Sequence, residues 1–163
     1  MTATEPVRSK KDLKRLAGYY LKNGQLRNHA LIVLAVYTAL RISDLLRLRW
    51  SDVYDFENER FLSHISLTEG KTGKHRAIAL NKDARTALEN YLPFKKGIFI
   101  FASNRKNAAP IGRVQAYRII KSAAKAVKLA VKISCHLLRK TLGYHAWRAG
   151  VAAAVIDRGN QRL

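Results

Sequence analysis

Apolar residues recur at helical spacing from the start of the chain. Leu13, Leu16, Ala17, Tyr20 and Leu21 share one face. Ser9-Lys10-Lys11-Asp12 in front of them reads as a capping box, and Gly24 stops the run, so a helix is predicted over 10–23. A second helix is predicted over 27–39, where 31–37 (Leu-Ile-Val-Leu-Ala-Val-Tyr) is apolar enough to be buried all round. Ser43 can cap a short third helix over 43–49, which ends near Trp50-Ser51-Asp52 with Trp50 in the core. The period then changes. Residues 61–67 alternate as a strand, as do 75–80. Between them Thr68-Glu69-Gly70-Lys71-Thr72-Gly73-Lys74 is rich in turn formers, which gives a β-hairpin with a basic tip.

Helical spacing returns after Asn81, a cap for a helix over 82–92 that Pro93 ends. Residues 98–101 (Ile-Phe-Ile-Phe) are too short a run to classify. A helix over 112–129 is expected to bury Val114, Tyr117, Ile120, Ala124 and Val127, with Arg118, Lys121, Lys125 and Lys128 as a basic stripe on another side. A further helix runs over 136–149 to Gly150, and 151–158 suits one more short helix. The fold class expected is mainly α (α+β), with a small antiparallel hairpin. Residues 1–8 are expected to be a disordered lead and 9–163 one domain, with no repeat or linker.

Charge narrows the function classes. Lys plus Arg number 31 against 11 Asp plus Glu, a formal net charge of +20. Such an excess on a chain with 48% hydrophobic residues predicts a folded domain with a polyanionic partner, most simply nucleic acid. Charge alone does not separate a nucleic-acid binder from a generally basic, ribosome-associated or merely soluble protein. One cysteine allows no internal disulfide, which fits a reducing cytoplasm. No stretch has membrane-spanning length, and there is no apolar signal core. One Cys and five scattered His make no zinc cluster, and no Walker-type loop is present, so neither metal nor cofactor is expected.

Arg41 follows directly on the apolar second helix. A charge there is costly unless paired or aimed at an anion. It is either a structural arginine, pairing with Asp44 or another carboxylate, or a clamp for a bound anion. His136 and Arg139 are three apart on a helix and share a face. Each signal alone is modest; their order is informative.

That order resembles the catalytic domain of the tyrosine recombinases, the phage integrase family. Thr38-Ala39-Leu40-Arg41-Ile42-Ser43-Asp44-Leu45 looks like the family's first box, and Leu48-Arg49-Trp50-Ser51-Asp52-Val53 continues it. Gly70-Lys71-Thr72-Gly73-Lys74-His75-Arg76 looks like the lysine hairpin, and His136-Leu137-Leu138-Arg139-Lys140-Thr141 like the second box. The resemblance implies cleavage of a DNA phosphodiester by a tyrosine hydroxyl without a metal. Arg41 and Arg139 would clamp the phosphate, whose non-bridging oxygens suit guanidinium forks. Lys71, with Lys74 as its alternative, would protonate the departing 5′ oxygen. His136 would transfer a proton or donate to the phosphate, and Asp44 would orient its neighbours. Lys74, Arg76, Arg118, Lys121, Lys125 and Lys128 are the expected DNA-binding side chains. His29, His64, His75 and His145 are read as structural or surface residues. The expected partner is double-stranded DNA, with a homo-oligomer that exchanges C-terminal segments, in the cytoplasm of a bacterium or phage host.

The match departs at the end. The family's nucleophilic tyrosine follows an L-G-H segment that is absent here, and Tyr144 is the one tyrosine after Arg139. It falls at an ordinary helix position of the family pattern. The expected catalytic domain is therefore incomplete at its C-terminus and inactive as it stands; the alternative is a non-catalytic DNA-binding remnant or regulator.

Overall fold

The structure, a computed structural model, describes residues 9–38 and 40–129. The helices expected over 136–149 and 151–158 lie outside the described residues, as do the lead 1–8, His136, Arg139 and Tyr144.

Helix α1 spans Lys10–Lys22 and starts as its sequence demands: Ser9 Oγ accepts from the Asp12 amide at 3.2 Å. Gly24 leaves the helix with a φ of 69°, a left-handed turn that glycine adopts without a Cβ clash. Helix α2, Leu26–Thr38, is buried from His29 through Val36, so its apolar run forms the centre of the core. His29 is structural: its Nδ1 donates to the Ala17 carbonyl at 2.6 Å and ties α2 to α1. Helix α3 is shorter than expected, Ile42–Leu46, and Ser43 is not its cap. Arg41 takes the cap position, and its carbonyl accepts from the amides of Asp44 and Leu45 at 3.0 and 2.9 Å. A 3₁₀ turn, Trp50–Asp52, follows, with Trp50 buried against Tyr91.

Among the described residues, two antiparallel pairs make up the sheet structure: β1, Tyr54–Asp55, with β2, Arg60–Phe61; and β3, His64–Thr68, with β4, His75–Ala79. The single strand expected over 61–67 is split, because the chain changes partner at Leu62 and Ser63. The Leu62 amide donates back to Val53, whereas the Ser63 carbonyl accepts from Leu80. In the second pair Thr68 faces His75, so residues 69–74 form the connecting loop. Ile65 and Ile78, directly opposite, point into the core.

Asn81 caps α4, Lys82–Tyr91, through Oδ1 to the Ala84 amide at 2.9 Å, and Pro93 sits in the 3₁₀ turn Leu92–Phe94 that ends it. Segment 98–101 is no full strand. It crosses 48–50 with two backbone hydrogen bonds, Trp50 to Ile98 and Ile100 to Leu48, and buries Ile100 and Phe101.

Helix α5, Arg113–Ala126, buries Ile120 and Ala124 as expected but leaves Val114 and Tyr117 at the surface. Ala116, Ile119, Ile120, Ala123 and Ala124 are buried, whereas Val114 is 65% exposed. The alanines let α5 lie close to α1, α2 and α3, which a reading weighted by side-chain size does not anticipate. The Tyr20 hydroxyl donates to the Ile119 carbonyl at 2.6 Å and locks α1 to α5. No helix among the described residues is long and apolar enough to cross a membrane.

Burial pushes the hydroxyls of Tyr20, Tyr37 and Tyr91 above their ordinary ionisation range, and Asp83 adds to the rise at Tyr37. The folded chain therefore keeps these tyrosines neutral after the unfolded chain has begun to ionise. Their contribution is complete below about pH 10 and is lost as pH rises through the folded-state values. Urea denaturation is expected to show Tyr20→Phe less stable than the wild type by about 1 kcal/mol at neutral pH, with a shallower loss of stability above about pH 10.

Candidate active site

The site forms where the start of α3 meets the loop between β3 and β4. Arg41 leads into α3, so its backbone is fixed by the helix it opens while its side chain crosses to the loop. Its Nη1 donates to Glu69 Oε2 at 2.5 Å, and the side chain stays 29% exposed. The other Glu69 oxygen, Oε1, lies 3.0 Å from Nη1 of Arg76. Arg76 is 1% exposed and Glu69 6%. One buried carboxylate thus faces two guanidinium groups, and the cluster keeps a net positive charge.

One turn along α3, Asp44 makes a second tether. Its Oδ1 accepts from the Gly70 amide at 3.1 Å and from Arg47 Nη2 at 2.6 Å. Both tethers land on the two residues that precede Lys71. The loop is also closed internally: the Glu69 amide donates to the Lys74 carbonyl at 2.8 Å, the Gly73 amide to the Glu69 carbonyl at 2.9 Å, and the Thr72 hydroxyl to Glu69 Oε2 at 3.1 Å. Lys71 and Lys74 project from this frame and are exposed. The arrangement offers a partly exposed guanidinium and an exposed ammonium on neighbouring, mutually anchored elements. That combination suits a phosphate: planar donors for its oxygens and a proton source beside it.

Residues 8–158 match the phage integrase family. The chain belongs to that family. It is 35% identical over 159 residues to the probable integrase/recombinase YoeC of Bacillus subtilis (strain 168), covering 97% of this chain and 83% of that protein. A crystal structure of XerA recombinase is similar to it with a TM-score of 0.79 and 25% identity over 98% of this chain. Lambda integrase (residues 75–356) bound to DNA shares the fold, with a TM-score of 0.74 and 18% identity over 99% of this chain. The chain spans 57% of each of those two proteins' solved chains.

Within this phage integrase domain, Arg41 is tied to Glu69, two residues before Lys71, and Asp44 to Gly70, one residue before it. Arg76 was expected at the DNA surface, but its alternating strand position turns it inward, against Glu69. Arg118, Lys121 and Lys125 lie on the exposed side of α5, and Lys128 is exposed just beyond its end. His75 is a surface residue whose Nε2 lies 2.8 Å from Ser66 Oγ, and His64 Nδ1 lies 3.0 Å from Ser63 Oγ. No metal-holding cluster of His, Cys, Asp or Glu occurs among the described residues.

Glu69 is the site residue that sequence reasoning missed. Its signal was available: an acid inside an otherwise basic loop, in a chain with few acids.

The two loop glycines are expected to differ. Gly73 has a φ of 67°, so Gly73→Ala should cost about 1 kcal/mol or more in a denaturant titration. A methyl on Gly70 would come within 2.5 Å of Arg47 Nη2, the end of an exposed side chain that can swing aside at the expense of its ion pair with Asp44. Gly70→Ala should therefore displace Arg47 and cost less than Gly73→Ala in the same titration.

Proposed function

We propose that this chain is the catalytic domain of a site-specific DNA recombinase, which breaks and rejoins a strand through a 3′-phosphotyrosine. A tyrosine hydroxyl gives its proton to solvent as its oxygen attacks the phosphorus, the bond to the 5′ oxygen breaks, and that oxygen leaves with a proton. Lys71 supplies the proton, while Arg41 and Arg139 hold the non-bridging oxygens as negative charge gathers there. His136 donates to the phosphate or relays a proton. The single observation that carries this reading is the joining of Arg41 to the Lys71 loop through Glu69, in a chain that belongs to the family. Lys74, Arg118, Lys121, Lys125 and Lys128 hold the flanking duplex by its backbone, which sets affinity rather than sequence choice.

Tyr144 is not the nucleophile in this reading. The attacking tyrosine is supplied from elsewhere, by the same protein or by a neighbouring copy on the DNA. The compartment is the reducing cytoplasm, which the single cysteine supports.

A nicked suicide duplex tests the chemistry. Residues 1–163 should bind it without a covalent adduct, and an adduct at Tyr144 would overturn the assignment. Adding a tyrosine-bearing C-terminal segment should restore cleavage; binding without cleavage even then would favour a non-catalytic DNA-binding protein. Arg41→Ala should weaken duplex binding by about 1.5–3 kcal/mol and lower the salt slope by about one. Its melting temperature should change little, because Glu69 keeps Arg76. Large destabilisation with unchanged DNA affinity would refute the clamp.

A further inference from the structure

An acid at a phosphate-binding site needs a reason. Glu69 lies beside Arg41 and would repel the DNA backbone, yet it is buried and held from several sides. Its backbone closes the loop through Lys74 and Gly73. Its side chain accepts from Thr72 and Arg41 through Oε2, and Oε1 lies against Arg76. Arg76 is almost fully buried, so its charge holds the carboxylate in place from beneath. Arg41 carries five N–H donors and directs one of them to Glu69.

We propose that Glu69 is a positioning residue: it fixes the Arg41 guanidinium so that the remaining donors face the scissile phosphate, and it couples the Lys71 loop to that clamp. This rests on the recombinase reading given above. Arg41 reaches Glu69 across the gap between α3 and the loop, and the same carboxylate anchors the residue two places before Lys71. A phosphate held by Arg41 is thereby registered against Lys71 through a single rigid group. A long exposed arginine otherwise loses considerable side-chain freedom on binding; Glu69 removes that cost beforehand.

The sign of the effect separates this role from simple charge. Removing an acid near DNA ordinarily tightens binding. The paired change Glu69→Gln with Arg76→Gln leaves the net charge unaltered and keeps two polar groups facing each other in the buried position. Duplex binding by residues 1–163 is measured at two salt concentrations in the wild-type and Arg41→Ala backgrounds. The paired change is expected to weaken binding about tenfold in the wild type and less than twofold with Arg41→Ala. Equal losses in both backgrounds, no loss, or tighter binding would each overturn the positioning role. Tighter binding only when Arg41 is present would show instead that Glu69 competes with phosphate. If the paired variant melts below the assay temperature, Thr72→Val, which removes the hydroxyl that donates to Glu69 and accepts from the Lys74 amide, serves in its place with an expected loss of two- to threefold that is again absent with Arg41→Ala. Amide exchange across 69–74 should slow on adding duplex to the wild type and not to Arg41→Ala; equal slowing in both would refute the coupling. Arg41→Ala binding duplex as tightly as the wild type would fail the recombinase site itself, whereas weak binding by Arg41→Ala with normal binding by the paired variant would fail the positioning role alone.

Discussion

Arg76 sits inside the protein, and the rest of the site follows from satisfying it. A guanidinium that is 1% exposed has lost its water, and the nearby Glu69 carboxylate supplies the opposite charge. Losing one member of a buried ion pair costs about 3–5 kcal/mol. Glu69 must therefore stay at the foot of the loop, and its second oxygen is left to meet Arg41. A structural requirement in the strand thus fixes where the partly exposed Arg41 side chain is held.

The two roles first considered for Arg41, structural pairing and anion clamp, are therefore not exclusive. It pairs with a carboxylate, though with Glu69 rather than Asp44. Its side chain still reaches solvent, and Asp44 instead serves the Gly70 amide and Arg47. The short α3 separates these tasks: residues 41 and 44 are one turn apart, so both reach the same loop at successive positions.

Much of the fold was legible because local rules and burial agreed. Ser9 and Asn81 cap where their side chains predicted, and the uniformly apolar 31–37 lies within the buried helix. What was not legible depended on partners far along the chain. Leu62 and Ser63 look like one strand by alternation, yet their backbone bonds go to Val53 and Leu80. The face of α5 was read in part: Ile120 and Ala124 are buried as expected, but Ala116 and Ala123 displace Val114 and Tyr117 from the core, because alanine is weak as a hydrophobic signal and strong as a contact residue. For the site, Arg41 and Lys71 were marked by motif. Arg76 was read as basic and hence exposed, and its strand parity, shared with the buried Ile78, argued the opposite.

The distribution of acids explains how a chain of net charge +20 directs that charge. Asp12 meets Arg15, Asp44 meets Arg47, Glu69 meets Arg41 and Arg76, and Glu89 meets Arg85. Asp52 and Asp55 accept from nearby amides at turns. These acids are engaged within their own neighbourhoods, and their ion-pair partners are arginines. The exposed lysines of the loop and of α5 keep their charge for a partner. Arginine's fork makes it the better choice where a fixed geometry must be held, and lysine's hydrated point charge suits a phosphate backbone met in many registers. The division between the two basic residues thus separates the buried and paired frame of the site from the charge left exposed on the loop and on α5.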